Sequence, residues 1–445
     1  MSDSRPPIAL VPPSAPLLPD DEDAWRENLI VGTTKDGAVR VAPVPANVAT
    51  FLRFHPDWRG VIAYDAFAEA VIVTRTPPWH LTDMPQDTTP GPWTESDTAR
   101  AVNWLMRDAL LKVPPKAVDD SLLVVGEANR VHPVRAYLEG LSWDAKQRLP
   151  SFLPTYFGTQ DDDYARGIGM RWLISAIARI MRPGCQVDCT LLIEGTQGLG
   201  KTSAFRALVP VPSWYADTGI TIGDKDSYQN LHGVWLYGLD EIDSLKRGEL
   251  TKVKNFLTAT QDRYRPSYGR RAVTFPRQCI FGGTTNEDEY LSDRTGNRRF
   301  WPVRARRIDV QAIARDRDQL WAEAVARYTS GEPWHVDTPE LRKLCAVEQT
   351  ARIQQDPWAE IVSRWLELPT VPGADGTPDR LDPANLTTAD VLLGALKFRP
   401  ADIGKADHMR AGDVLRDLGY VRGPRIQAGG SRTRRYVLRS TLAAE

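Results

Sequence analysis

The sequence is poor in the features that mark secreted and membrane proteins. Its 445 residues hold four cysteines, Cys185, Cys189, Cys279 and Cys345, too few for a disulfide framework at this size. No histidine or second cysteine pair stands near enough to complete a zinc site with Cys185 and Cys189, so reduced buried thiols are the simpler interpretation. There is no apolar run of about 18 residues, and the first residues lack the basic and apolar regions of a signal peptide. We therefore expect a cytoplasmic protein with no membrane partner.

The chain also lacks a net charge that would suggest nucleic acid, since 56 Lys+Arg oppose 57 Asp+Glu. The charge is segregated, however. Residues 263–307 contain 11 arginines against four acidic residues, and residues 397–439 contain 11 Lys+Arg against four aspartates. Near-neutrality is thus an average, and it does not exclude a nucleic-acid partner.

The composition, 42% hydrophobic and 25% charged, is that of a globular protein with roughly two to four domains. Short apolar runs alternate with helical stretches over residues 188–335, which predicts an α/β domain with a parallel sheet. Paired strands near Lys35 and a helix capped by Thr94 or Ser96 predict a small α+β domain before it. We divide the chain into a flexible tail (1–25), a small α+β N-terminal domain (26–120), a helical domain (121–187), the α/β core (188–335), a helical segment with a loop or linker at 371–385 (336–385), and a C-terminal domain (386–445).

The most specific motif is G-x-x-x-x-G-K-[ST], preceded by an apolar strand pattern and followed by a helical one. It comprises Gly195, Thr196, Gln197, Gly198, Leu199, Gly200, Lys201 and Thr202, with Ser203 next. Glycines let successive backbone N–H groups point at phosphate oxygens at the positive end of a helix. We therefore predict ATP binding, with Lys201 reaching the β- and γ-phosphates and the Thr202 hydroxyl ligating Mg²⁺. A chance glycine-rich turn is disfavoured because both flanks fit.

Two further apolar strands end in polar residues. VWLYGLDEID (234–243) delivers Asp240, which we assign to the Mg²⁺ shell, and Glu241, which we assign to polarising the attacking water. QCIFGGTTN (278–286) ends in Asn286, which can orient that water or sense the γ-phosphate. Capping the next loop or helix is an equally good interpretation of Asn286 taken alone.

Three arginines, Arg294, Arg298 and Arg299, precede the apolar segment FWPV. Arginines here can act on the γ-phosphate across a subunit interface, as an arginine finger. Surface salt bridges are the alternative, and they apply to at least one of the three.

These elements in this order resemble the virulence-associated protein E family, phage- and prophage-encoded P-loop ATPases related to superfamily 3 helicases of the AAA+ class. HPVRAYLEGLSWDAKQRL (132–149), RPGCQVD (182–188) and TGNRRFWPV (295–303) fit the same family, so the likeness covers about residues 130 to 335. The resemblance implies an AAA+-like P-loop core in a hexameric ring, with ATP sites between protomers and ATP-driven movement on DNA. It matches Lys201 and Thr202 to Walker A, Asp240 and Glu241 to Walker B, and Asn286 to the sensor. Arg298 is the preferred trans-acting finger and Arg299 the second choice.

In superfamily 3 relatives, the stretch between Walker B and the sensor holds a loop or hairpin that projects into the ring channel. Here Arg265, Tyr268, Arg270 and Arg271 combine positive charge with an aromatic ring, which suits single-stranded DNA. A solvated basic hairpin is the alternative. The sequence departs from those relatives in having no lone Lys or Lys-His pair at the tip, which leaves the translocating residue open.

The C-terminal pattern of two helices and a basic hairpin near Gly429 and Gly430 predicts a winged-helix-like domain. Its wing, SRTRRYVLR, would place Arg432, Arg434 and Arg435 on DNA phosphates. The alternative is an accessory domain that caps the ATPase or binds a partner.

The sequence therefore predicts Mg²⁺-dependent ATP hydrolysis coupled to translocation on, or unwinding of, DNA in phage or mobile-element replication. The competing hypothesis is an initiator that uses ATP to assemble on origin DNA or with host replication proteins. Glu241 favours turnover, because a binding switch does not need a water-polarising acid. Family members often accompany a primase, but the N-terminal residues show no primase acidic triad, so we expect a primase only as a separate partner.

Overall fold

The computed structural model describes residues 24–35, 37–79, 91–219, 224–239, 247–265, 271–291, 296–353, 356–372, 378–428 and 431–439. The chain divides into two compact units, Met1–Arg352 and Ile353–Glu445. Nearly all of the predicted tail lies outside the described residues. No described helix is long and apolar enough to cross a membrane. All four cysteines are free thiols, and only Cys185 is less than fully buried.

The first unit begins with a small α+β region. Its strands are β1 (Val31–Thr33), β2 (Val39–Val41), β3 (Ile62–Asp65), β4 (Ala70–Val73), β5 (Gly91–Pro92) and β6 (Arg130–Val131). The first two form an antiparallel pair, and the others form a sheet in the order β5-β4-β3-β6. Helices α1 (Pro45–Phe54), α2 (Glu95–Arg107) and α3 (Pro115–Glu127) share a tryptophan-rich core with this sheet. Thr94 caps α2 as predicted, since its side chain accepts from the Asp97 N–H.

Three helices connect this region to the next sheet: α4 (Pro133–Glu139), α5 (Phe152–Phe157) and α6 (Asp163–Met181). Helix α6 is apolar around most of its circumference because it is enclosed by other elements. Its Trp172 is fully buried, and the indole Nε1 donates to the Phe281 carbonyl at 2.9 Å. That bond fixes α6 against the central sheet.

The central sheet of the first unit is parallel and five-stranded. In chain order the next strands are β7 (Thr190–Glu194), β8 (Tyr215–Ala216), β9 (Leu236–Leu239), β10 (Gln261–Tyr264), β11 (Val273–Pro276), β12 (Ile280–Thr285) and β13 (Phe300–Arg304). The sheet order is β13-β7-β12-β9-β8, with every pairing parallel, while β10 and β11 form a separate antiparallel hairpin. Strands β7 and β12 are buried along their whole length, as expected for a sheet covered on both faces. The predicted α/β domain with a parallel sheet is confirmed.

Helices follow or cover these strands: α7 (Lys201–Leu208), α8 (Lys225–Gln229), α9 (Arg247–Thr258), α10 (Val310–Thr329) and α11 (Pro339–Ala351). Helix α10 packs on α7, and the Trp321 Nε1 donates to the Leu208 carbonyl at 2.7 Å. Helix α11 packs on β13, where the Gln349 side chain donates to the Phe300 carbonyl at 3.0 Å. Parallel strands need such crossover connections, and they bring every carboxyl end to the same edge of the sheet.

The second unit contains α12 (Pro357–Leu366), β14 (Thr370–Pro372), β15 (Pro378–Arg380), β16 (Asn385–Thr387), α13 (Thr388–Asp390), a π-helical turn (Val391–Ala395), α14 (Lys405–Asp417), β17 (Tyr420–Ala428) and β18 (Ser431–Leu438). Its sheet has the order β16-β18-β17, and its core includes Leu386, Val414 and Tyr436. The predicted C-terminal β-hairpin is confirmed. The predicted loop or linker at 371–385 includes most of a short antiparallel pair, β14 and β15, which backbone hydrogen bonds form without a long apolar run.

Candidate functional site

The loop between β7 and α7 joins a buried strand to the start of a helix. At Gly198 (φ +82°) and Gly200 (φ +91°) the backbone is left-handed, which favours glycine. Gly200 is the N-cap of α7. A Cβ at Gly195 would lie 3.1 Å from the Ala305 carbonyl oxygen, so a side chain there would crowd the neighbouring chain. The predicted phosphate-binding residues therefore form one tight turn at a helix N-terminus, where backbone N–H groups can receive an anion.

Lys201 is the first residue of α7, and it is 8% exposed. Its Nζ donates to the Gly195 carbonyl at 2.5 Å and to the Thr196 carbonyl at 3.0 Å. It also donates to Asn286 Oδ1 at 2.7 Å. All three of these acceptors are neutral oxygens, which phosphate oxygens can replace. The ammonium group thus lies inside the curl of the loop.

Asn286 reaches Lys201 because its strand lies beside β7. In the parallel register Thr285 of β12 is level with Glu194 of β7, so the next residue of each strand emerges at the same height. The Asn286 side chain makes a long-range contact, since its Oδ1 accepts from Lys201 across 85 residues of sequence. A lysine and an amide oxygen are therefore held together at the carboxyl edge of the sheet.

The rest of the loop is open to solvent. Thr196, Gln197 and Gly198 are exposed, Leu199 packs partly against the core, and Thr202 is half-buried beside exposed Ser203. The Thr202 hydroxyl, at the second position of α7, is an oxygen ligand of the kind that suits Mg²⁺. Among the residues that the structure describes, no cluster of three His, Cys, Asp or Glu side chains could hold a metal ion.

Asp240 and Glu241 lie outside the described residues. Strand β9, which leads directly into them, ends at Leu239 level with Gly283 of β12. Strand β12 thus lies between β7 and β9. The chain therefore leaves β9 one strand away from Asn286 and two strands away from the loop of Lys201.

A buried carboxylate directly below the loop was not predicted from the sequence. Glu194, the last residue of β7, is 1% exposed. Arg352, just after α11, donates from Nε to Glu194 Oε1 at 2.7 Å and from Nη2 to Oε2 at 3.0 Å. The Tyr290 hydroxyl donates to the same Oε1 at 2.9 Å. The residue before Gly195 is therefore fixed by a two-pronged ion pair and a phenol.

The contacts of Glu194 with Arg352 and Tyr290 form a brace beneath the loop, and the charge on Arg352 is stable within it. Burial lowers the pKa of Arg352, but hydrogen bonds and charges from Glu194 and Glu348 outweigh it and raise that pKa above its ordinary value. Its charge therefore persists at any ordinary pH. A carboxylate ending an apolar run was the available sequence signal for Glu194, whereas Arg352, 158 residues away, gave none.

The candidate finger arginines lie in and before a short 3-10 helix, Asn297–Arg299, that precedes β13. Arg298 is exposed. Arg299 is half-buried, and its Nη1 donates to the Gly296 carbonyl of its own turn at 3.3 Å. Arg294 lies outside the described residues. Of the two described arginines, Arg298 is the one oriented toward solvent.

The segment between the predicted Walker B residues and Asn286 contains a hairpin, formed by β10 and β11 and paired from Gln261↔Pro276 to Tyr264↔Val273. Arg265 and Arg271 are exposed where the chain leaves β10 and approaches β11. Tyr268 and Arg270 fall outside the described residues. The hairpin therefore presents two of the four predicted contacts at one end, with the other two between them in sequence.

The opposite end of this hairpin is held by two buried arginines. Arg277 donates to Asp262 from Nε and from Nη2, both at 2.7 Å, and also to the Phe256 carbonyl near the end of α9. Arg179, fully buried on α6, donates to the Ala259 carbonyl at 3.4 Å and the Arg277 carbonyl at 3.5 Å. The hairpin and α9 are thus fastened together.

In the second unit, Arg434 is exposed and Arg435 half-buried on β18. Arg435 pairs with Thr387 of β16, and Arg434 pairs with Arg425 of β17. Arg432 lies on the same strand, paired with Gln427, but its side chain is outside the described part of the structure. The three predicted contacts therefore share one strand of a basic hairpin.

Comparison with known proteins gives a family for this region. Residues 138–354 match the virulence-associated protein E-like domain, which confirms the resemblance that the motifs predicted. The match includes the loop, Asn286, the candidate fingers and Arg352. A search of curated proteins finds no match.

Solved structures of one protein are similar to the chain. The apo structure of the NrS-1 C-terminal region has a TM-score of 0.46 at 12% identity, covering 85% of this chain and 95% of that one. The A form apo structure of the same region has a TM-score of 0.45 at 11% identity, covering 89% and 100%.

Proposed function

The chain carries a virulence-associated protein E-like domain, and from this premise we propose that it is a Mg²⁺-dependent ATPase acting on DNA. Hydrolysis drives translocation on, or unwinding of, DNA during phage or mobile-element replication. The working form is a ring, in keeping with the hexamer that the family resemblance implies. Single-stranded DNA is the expected partner inside the ring channel.

The observation that carries the proposal is the position of Lys201. Its Nζ, 2.7 Å from Asn286 Oδ1, lies within a left-handed glycine turn at the start of α7. A buried cation, a helix N-terminus and a polar amide at one edge of the sheet suit a nucleoside triphosphate. Lys201 would neutralise developing phosphate charge, and Asn286 would orient the attacking water or sense the γ-phosphate.

Magnesium fits the donors of this edge. The half-buried Thr202 hydroxyl is one oxygen ligand, and Asp240, following β9, is the proposed second. When bound, the ion would supply charge neutralisation between the β- and γ-phosphates. Glu241, next in sequence, would accept a proton from the attacking water.

Arg298 is the proposed finger for a neighbouring protomer. It is exposed, whereas Arg299 is tied to its own turn at Gly296. An exposed guanidinium can reach a phosphate on another chain without breaking contacts in its own. This arrangement makes hydrolysis depend on assembly.

The link from the nucleotide to DNA is proposed to run through α9. This helix begins at Arg247, shortly after Asp240 and Glu241 in sequence, and its end is fastened to the base of the hairpin by Arg277 and Arg179. A change in the proposed Walker B segment would therefore move the hairpin as one body with α9. Arg265 and Arg271 would carry that movement to the DNA backbone.

The second unit is proposed to be a winged-helix-like DNA-binding domain. The order α12, β16, α13, α14 and then the β17–β18 hairpin supports it, with β18 between its partners. Arg434 on the hairpin would contact phosphates, which positions a protein without reading sequence.

The decisive test is ATP hydrolysis by the full chain, with and without single-stranded DNA. We expect wild type to turn over ATP faster with DNA, and Lys201→Ala and Glu241→Gln to reduce turnover by at least about 100-fold. Lys343→Ala, an exposed lysine on α11, is the matched control and keeps its rate. Absence of turnover in wild type removes the ATPase proposal. Turnover indifferent to DNA, together with no strand displacement on forked DNA, favours the initiator hypothesis.

The finger is tested by mixing variants. Arg298→Ala alone is expected to reduce turnover about 1,000-fold, and Arg315→Ala, another exposed arginine, to leave it unchanged. Mixed rings of Arg298→Ala and Glu241→Gln protomers should regain activity, because one protomer supplies the arginine and the other the intact site. Failure of the mixture to regain activity argues that Arg298 acts within its own chain.

A further inference from the structure

An open cavity lies at the start of α10. Its volume is about 420 Å³, and it is lined by Arg307, Ile308, Asp309, Val310 and Gln311. That volume is within the range of small-molecule sites. Ile308 and Val310 are half-buried and supply aliphatic surface, while the other three lining side chains are exposed and polar.

The cavity is adjacent to the predicted phosphate-binding loop, residues 195–202. Val310 Cγ2 lies 3.5 Å from the position that a Cβ on Gly200 would occupy. The segment that precedes Val310 runs alongside this loop: the Ala305 N–H donates to the carbonyl of Glu194, the residue before the loop, at 2.9 Å. A ligand can therefore touch the loop and the cavity at once.

The backbone that forms this cavity is held in place from below. The Arg306 N–H donates to the Phe157 carbonyl at 3.2 Å, and the Asp309 N–H donates to the Tyr156 carbonyl at 2.9 Å. The Asp309 carboxylate in turn accepts from the Ala312 N–H at 2.9 Å, which caps α10. The cavity is thus preformed and does not depend on the ligand to order it.

Sheet order indicates which part of a nucleotide would reach the cavity. Lys201 Nζ contacts Asn286, which follows β12, so the terminal phosphate belongs on the β12 side of β7. Strand β13 lies on the opposite side of β7, and residues 307–311 follow it. In an extended nucleotide the base and terminal phosphate lie at opposite ends, so the base leaves toward β13.

We infer that the cavity at residues 307–311 is the subsite for the heteroaromatic base of the bound nucleotide. This inference rests on the proposed ATPase function and adds the residues that hold the base. Ile308 and Val310 pack against the planar ring, and the polar rim faces its edge. Phosphate binding is a separate task of the loop residues.

The test compares ADP with pyrophosphate, which share two phosphates and differ by the nucleoside. Calorimetric titration of the full chain with Mg²⁺ would measure both affinities. Val310→Ser should weaken ADP about tenfold and change pyrophosphate less than about twofold, because it removes apolar contact with the base and keeps Lys201 and the backbone N–H groups of the loop. Lys201→Ala should weaken both ligands. Val347→Ser, an equivalent change at an exposed valine of α11, should alter neither.

The milder Val310→Ala should weaken ADP in the same sense, and thermal unfolding checks that both variants are folded. Unchanged ADP affinity in both variants would overturn the inference, as would equal weakening of ADP and pyrophosphate. Wild type that binds neither ligand would instead defeat the ATPase proposal, and this subsite with it.

Discussion

Two buried arginine–carboxylate pairs stabilise two different regions of the first unit, and they differ in how far apart their partners lie in the sequence. Arg277 and Asp262, at 2% and 6% side-chain exposure, join residues 15 apart at the base of the β10–β11 hairpin. Arg352 and Glu194, at 12% and 1%, join residues 158 apart below the glycine turn that precedes Lys201. The first pair stiffens a local hairpin, while the second ties the loop to a distant helix. Stability should depend on both, but nucleotide affinity on only one.

The largest effect is expected from Arg277→Met. Removing one partner leaves Asp262 buried with an uncompensated charge, which costs about 4 kcal/mol of unfolding free energy. Urea unfolding would measure it. We expect folded protein to keep its ADP affinity and to lose stimulation of hydrolysis by DNA.

The double variant Asp262→Leu/Arg277→Met is the control, because removing both charges restores most of the stability. If the double variant also regains stimulation of ATP hydrolysis by DNA, the ion pair contributes to that stimulation only by stabilising the fold.

Arg352→Met should cost slightly less stability, about 3 kcal/mol, because Tyr290 still donates to Glu194. In contrast to Arg277→Met, Arg352→Met should lower the affinities for ADP and for pyrophosphate alike, because both ligands are expected to bind the loop that follows Glu194 and that loop would be held less firmly. Arg352→Lys keeps the charge but loses the two-pronged geometry, and we expect an intermediate result. Equal ligand affinities in wild type and Arg352→Met would contradict the assigned role.

The exposed end of the hairpin should show a smaller effect, confined to DNA. Arg265→Ala/Arg271→Ala is expected to weaken single-stranded DNA binding about tenfold at low salt. The slope of log affinity against log salt should fall by about 0.7 for each phosphate that the protein no longer neutralises. Arg315→Ala is the matched control in a fluorescence anisotropy titration. An unchanged salt slope would favour the alternative hypothesis, in which the hairpin is basic and solvated but does not contact DNA.

The smallest effect concerns pH. Burial lowers the pKa of His132 and of His232 below the ordinary value, the first near Gln278 and the second beside Tyr264 of the hairpin. The unfolded chain therefore binds more protons than the folded one just below pH 6.5, and stability falls as pH drops through that window. The loss is at most about 1.4 kcal/mol per pH unit for each histidine.

His132→Gln and His232→Gln should each flatten this slope in urea unfolding between pH 7.5 and about pH 5.5. If neither variant flattens it, other groups account for the acid sensitivity.

The parts of the site that sequence could predict are those with local backbone requirements. The glycine turn before Lys201 needs left-handed residues at fixed spacing, and a strand before and a helix after it are visible in the apolar pattern. Asn286 was recognisable as the residue after an apolar strand, although its contact with Lys201 depends on β12 lying beside β7. The C-terminal hairpin was predictable for the same reason, since glycines separated two strand-like runs.

Interactions set by the tertiary arrangement gave no such signal. Arg352 reaches Glu194 only because α11 packs beside β13, and Arg179 meets the base of the hairpin only because α6 is buried there. The β14–β15 pairing was missed because backbone bonds form it where no apolar pattern exists. Asp240, Glu241, Tyr268, Arg270 and Arg294 stay sequence predictions, because they lie outside the described residues.

The brace on Glu194 also decides where the chain can be shortened. A protein ending at residue 335, the predicted end of the α/β core, would lack Arg352 and the Gln349 side chain that bonds to β13. It would keep the complete glycine turn, yet the enclosed Glu194 carboxylate would lose its two-pronged partner and keep as its cation only the exposed Arg304, whose Nε lies 3.9 Å from Glu194 Oε2. A fragment designed to keep this ion pair must therefore extend through Arg352, seventeen residues past the end of the predicted core at residue 335.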